Sequence, residues 1–108
     1  MLTDLSLHVL LAVGNGAAHG YAIGKDIAER SGGRLDPTTG ALYQALKRLV
    51  DDALLRPTQA PAGESSDPRR KYFALTPAGR RAVAAEIARL EGLVALARER
   101  RLYPSSAG

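Results

Sequence analysis

The sequence predicts a mainly α fold with one small β-hairpin and a long C-terminal helix. Three observations carry this expectation: apolar residues recur at helical spacing in four segments, the period changes to that of strands only between residues 54 and 75, and the hydrophobic residues are aliphatic rather than aromatic. Of 108 residues 45% are hydrophobic, with one Phe, four Tyr and no Trp, which suits one core and not two.

The first helix is expected from about Thr3 to Val13, with Leu5, Val9 and Ala12 on one stripe and Leu7, Leu10 and Leu11 widening it. Gly14-Asn15-Gly16 stops it, because Gly and Asn accept the left-handed backbone that ends helices. The segment holds Asp4 and His8, lacks a basic flank and is too short to span a bilayer, so it reads as a core helix of a cytoplasmic protein with no membrane partner.

A second helix opens at His19-Gly20-Tyr21 and closes at Ser31-Gly32-Gly33. Tyr21, Ile23, Ile27 and Ala28 are assigned to its buried face, Lys25, Asp26, Glu29 and Arg30 to solvent, and His19 to capping or packing. Thr38 is the expected N-cap of a third helix, since its hydroxyl can accept an amide hydrogen bond from the first turn, and Pro37 keeps the entry extended. Leu42, Ala45, Leu46, Leu49 and Val50 then face inward, while Thr39, Tyr43, Gln44, Lys47 and Arg48 face outward.

Leu54 to Gln59 and Arg69 to Leu75 read as two strands joined by a Pro/Gly/Ser-rich loop with a flexible tip, and Pro57 requires an edge position because it donates no ladder hydrogen bond. Thr76-Pro77 starts the last helix, which continues to about Leu102. Within it Val83, Ile87, Leu90, Val94 and Ala97 step by four, three, four and three, a heptad seam that Leu93 and Leu96 broaden. A helix of about 25 residues is about 37 Å long, more than so small a domain can cover. We therefore expect a homodimer, with Val83, Ile87, Leu90, Leu93, Val94 and Ala97 at the interface beside Leu5 and Val9 of the first helix. The chain divides accordingly into residues 1–76, a dimerisation helix over 77–102 and a disordered tail over 103–108.

Charge is distributed unevenly. Residues 38–81 contain eight Lys/Arg against four Asp/Glu, and the remainder seven against seven, so the net +4 lies wholly in the middle of the chain. With no Cys and two His, no nucleophile elbow, no phosphate-binding Gly loop and no acids at metal-ligand spacing, the sequence argues against an enzyme and calls for no cofactor and no metal.

Three helices, a basic hairpin and a projecting helix are the parts of a winged helix-turn-helix with a dimerisation arm. A helix that enters the major groove presents small and polar residues at its N-terminal turn, where its dipole faces phosphate; Thr38, Thr39 and Gly40 fit that need. Tyr43, Gln44 and Lys47 follow on the outer face, Gln suited to adenine and Lys to guanine or phosphate, with Tyr43 able either to donate to phosphate or to pack under the wing. Arg69, Arg70 and Lys71, on the hairpin, would press on the flanking backbone. The competing reading is a winged helix that binds protein, which needs neither the charge asymmetry nor polar residues at positions 39, 44 and 47.

Three segments in register, His19-Gly20-Tyr21-Ala22-Ile23, Thr39 to Leu49, and Arg70 to Arg80, resemble the PadR transcriptional regulators across nearly the whole chain. The resemblance implies a homodimeric repressor that binds a palindromic double-stranded operator and senses a small hydrophobic or phenolic effector near the dimer interface. It also implies the compact branch of the family, with one C-terminal helix. Two residues depart from the family pattern: Gln44 replaces the usual Pro after the Tyr, and Ala53 replaces the usual Gly after the third helix. A left-handed backbone at Ala53 would cost about 1 kcal/mol.

Overall fold

The computed structural model describes residues 2–63 and 69–104. The chain runs α1 (Asp4–Ala12), β1 (Ala18–His19), α2 (Gly20–Arg30), α3 (Thr39–Asp51), β2 (Leu55–Thr58), β3 (Tyr72–Leu75) and α4 (Pro77–Glu99). Among the described residues no helix is long and apolar enough to cross a membrane.

Local chemistry sets each helix start. Thr3, His19, Thr38 and Thr76 are the N-caps, accepting from the amides of Ser6, Ala22, Ala41 and Gly79 respectively. His19 does this through Nδ1 at 3.2 Å and also meets Tyr72 edge-on, with ring centroids 5.3 Å apart. Its assignment to capping and packing agrees with that geometry.

Helix ends are equally specific. Leu54 N donates to Leu49 O at 2.9 Å and Ala53 N to Val50 O at 3.0 Å, the paired bonds of a Schellman turn, with Ala53 at φ 61°. The left-handed backbone anticipated at Ala53 is present, in a residue with a Cβ. Helix α4 closes in the same way on Arg101, also at φ 61°, while α2 uses Gly32 at φ 64°.

Val9, Leu10, Val13, Ile23, Ile27, Leu42, Leu46, Leu49, Leu55 and Phe73 form one buried cluster joining the three helices to the sheet. Each such side chain contributes about 1.5–3 kcal/mol of burial. Tyr21 departs from the expected pattern, standing outside this cluster at 73% exposure. At 3.6 residues per turn it lies about 200° from Ile23, on the far side of a helix whose inner face is Gly20, Ile23 and Ile27.

The sheet is antiparallel in the order β1-β3-β2, so the hairpin has acquired a third strand that no periodicity announced. Ala18 pairs with Phe73 and His19 with Tyr72, while β2 pairs on the other side from Leu55↔Leu75 to Thr58↔Tyr72. Pro57 lies in β2, an edge strand as required. Both hairpin strands are shorter than expected, and Arg69 to Lys71 precede β3 rather than lying in it. The ladder ends at the Thr58↔Tyr72 pair. The expected loop tip falls partly on residues 64–68, outside the described residues.

Helix α4 packs its first turns on the domain and projects beyond it, which gives overall extents of 52 × 28 × 26 Å. It ends at Glu99, with a cap at Arg100, rather than at Leu102. The guanidinium of Arg98 then sits 4.3 Å over the Tyr103 ring, so the proposed tail begins with a packed residue; positions 105–108 lie outside the described residues.

Candidate nucleic-acid interface

Helix α3 is strongly two-sided. Leu42, Leu46 and Leu49 are buried, while Thr38, Thr39, Gly40, Tyr43, Gln44, Lys47 and Arg48 are all exposed. The phase follows from apolar residues at steps of four and three, which leave the intervening polar positions on the opposite side. Thr38 Oγ1 accepts from Ala41 N at 3.1 Å, so this hydroxyl is engaged in capping. A Cβ at Gly40 would meet nothing within 4 Å, leaving the first turn open to an approaching surface.

Two further residues of this face rest against other parts of the protein. Lys47 Nζ pairs with Asp51 Oδ2 at 3.1 Å along the helix, with both side chains largely exposed. Such pairs are worth a few tenths of a kcal/mol, so the ammonium can be exchanged readily onto a phosphate. Tyr43, 46% exposed, lies over the start of α2 at Gly20.

Beside α3 runs a groove of about 410 Å³ whose walls include Tyr21, Lys25, Asp36, Thr39 and Tyr43, floored by Gly20. Tyr21 and Lys25 are one helical turn apart on the exposed face of α2, so they join the face that α3 presents. The sequence reading missed them by placing Tyr21 in the core. The available signal was helical phase, since positions 21 and 25 both lie opposite Ile23 and Ile27. Arg69, Arg70 and Lys71 are exposed at the entry to β3.

The residues expected at a dimer interface divide into two groups. Leu93 and Val94 are exposed, 51% and 39%, together with Leu96 at 39%; Ile87, Leu90 and Ala97 are partly covered. Val83 and Leu5 pack against the chain's own core, and Val9 is 0% exposed within it. Val9 is therefore a core residue of the protomer and not a contact for a partner, because α1 turns that side toward α2 and α3. The seam also passes a residue that the heptad pattern did not flag: Glu86 is 8% exposed, receives Arg89 Nε at 2.9 Å together with a second contact from Nη2, and lines a cleft with Leu2, Leu54 and Ala82.

Residues 9–85 match the transcriptional regulator PadR-like family. An uncharacterized 37.1 kDa protein in transposon TN4556 of Streptomyces fradiae is 43% identical over 94 residues, covering 84% of this chain. The chain spans only 25% of that relative's length. Among solved structures, a PadR family transcription regulator from Clostridium difficile superposes with a TM-score of 0.76 at 22% identity, covering 90% of this chain and 97% of the other. Bacillus subtilis PadR in complex with operator DNA superposes with a TM-score of 0.65 at 21% identity, over 79% of this chain and 47% of that one. At these identities the shared feature is the winged-helix fold. The family match, extending from the middle of α1 into α4, settles the class: this chain belongs to the PadR-like family of transcriptional regulators.

Proposed function

We propose that the chain acts as a cytoplasmic homodimer that binds a palindromic operator and represses transcription until a small hydrophobic or phenolic effector releases it. The observation that carries DNA binding is the exposed polar face of α3. Its first turn offers backbone amides and hydroxyls to phosphate, and Gln44 and Lys47 follow on the same face at base-reading positions. Arg69, Arg70 and Lys71 supply backbone contacts from the wing, and Tyr21 and Lys25 extend the phosphate-facing surface from α2.

Dimerisation is supported by the exposed apolar run Leu93, Val94 and Leu96 on a projecting helix. Two α3 helices about 34 Å apart would occupy successive major grooves. An effector lodged between the α4 seam and the first helix of the partner would need a few kcal/mol of differential affinity to shift that spacing and release DNA. Isothermal titration of a phenolic acid tests this part: equal affinity for free and DNA-bound protein removes the effector mechanism.

The DNA reading is tested by a mobility shift on the DNA upstream of the protein's own gene, with excess random DNA as competitor, at about 0.15 M salt. A complex that resists competition and contains two chains is expected. Absence of a competition-resistant complex favours a winged helix that binds protein.

A further inference from the structure

The end of α3 and the start of α4 are separated by more than twenty residues, yet one side chain ties them together. Thr76 Oγ1 accepts from Gly79 N at 2.9 Å, which caps α4, and donates to Ala53 O at 2.7 Å, which satisfies the left-handed residue that terminates α3. The backbone repeats the tie, with Thr76 N donating to Leu54 O at 3.2 Å. Gly79 closes the joint from the other side: a Cβ there would stand 2.2 Å from Leu54 O and 2.6 Å from Leu75 Cδ1, so only a glycine lets the first turn of α4 seat against this carbonyl. The Leu55↔Leu75 pair of the sheet begins immediately beyond. The N-cap of α4 thereby satisfies an amide of its own helix and, on the other side, the carbonyls of the turn that ends α3.

We propose that Thr76, with Gly79, is a positioning residue for operator recognition: it locks α3 to the arm α4 as a single rigid lever, so that the separation of the two recognition helices changes only by movement of one protomer against the other. The inference rests on α3 being the DNA-reading helix, but the lock itself is a property of the free protein and is tested without DNA. A hinge at this joint would let each recognition helix drift relative to the dimer axis and would blur the spacing that selects half-sites. With the lock in place, any signal that reaches the seam on α4 is transmitted to α3 without loss.

The test uses the full chain, in which the absence of Cys allows site-specific spin labelling at Arg48→Cys on α3 and Glu99→Cys far along α4, both exposed positions. Labelled chains are diluted into unlabelled protein so that pulsed dipolar spectroscopy reads the distance within one protomer. Thr76→Ser retains both hydrogen bonds and should reproduce the wild-type distribution. Thr76→Asp retains a good N-cap acceptor for Gly79 N but has no proton for Ala53 O; it should keep the helical circular dichroism yet broaden the distribution about twofold. Gly79→Ala, which displaces α4 from Leu54, should shift the mean by about 1 Å or more. Distributions for Thr76→Asp and Gly79→Ala that coincide with wild type would overturn the lock. A variant that merely lost thermal stability would still show the native distance below its transition. Broadened or shifted distances combined with unchanged competition-resistant DNA binding would count against the DNA reading of α3 and leave the lock standing.

Discussion

The phenol of Tyr43 lies directly over Gly20: a Cβ at Gly20 would stand 2.5 Å from Tyr43 Oη and 2.8 Å from Cζ. The first residue of α2 thus decides where a side chain of α3 rests, which couples the two helices at the face proposed to meet DNA.

Gly20→Ala should separate stability from recognition. The added methyl displaces the far end of a side chain rather than backbone, and Ala favours a helix over Gly by up to about 1 kcal/mol, so the melting temperature should hold or rise. Tyr43 must swing out, and DNA affinity should fall about tenfold, a loss near 1.4 kcal/mol. Thermal melts and anisotropy titrations on the same preparation check both halves.

Ala53→Gly should stabilise the protein. Ala53 holds φ 61° at the end of α3, where a Cβ costs about 1 kcal/mol relative to Gly. The substitution should raise the melting temperature by about 4 °C, offset in part by the greater freedom of Gly in the unfolded chain. Urea denaturation with an unchanged slope and a higher midpoint is the expected signature.

These two positions show how far the sequence could be read. Caps are local, so Thr38, Thr76 and Pro77 announced their helices from a few neighbouring residues, and the left-handed turn at Ala53 was legible from the Gly that related sequences place there. Strand β1 was not legible, because two residues carry no period and Ala18–His19 become a strand only by pairing with β3. Tyr21 is exposed rather than buried because helical phase sets it opposite Ile23. Glu86 escaped notice because a heptad count sees apolar residues and not the carboxylate that Arg89 makes tolerable between them. On the candidate interface, the exposed face of α3 was legible from amphipathicity alone, whereas the contribution of α2 depended on how the two helices cross.

Substitutions on the wing and on α3 should produce opposite signatures. Arg70→Ala and Lys71→Ala should each flatten the dependence of log affinity on log salt by about one unit per protomer, through loss of a phosphate contact. Gln44→Ala should change which sequence is preferred and leave that slope nearly unchanged. Salt titrations on a selected duplex and on its point variants distinguish the two.

Leu93→Asp probes assembly. Leu93 is 51% exposed in the single chain, so the protomer's own core does not depend on it. Burying a carboxylate in an apolar seam should weaken self-association at least tenfold, or about 1.4 kcal/mol, and reduce operator affinity with it. Sedimentation equilibrium on the variant and wild type gives the comparison; equal dissociation constants would place the partner surface elsewhere.

Whether two copies of α3 read successive major grooves is visible in hydroxyl-radical footprinting on DNA upstream of the protein's own gene. Two protected patches related by a palindrome, with centres about ten base pairs apart, are expected, and both should be lost when Thr39 and Gln44 are replaced by Ala. Uniform protection along the fragment, or no protection at concentrations where the protein is dimeric, would contradict that arrangement.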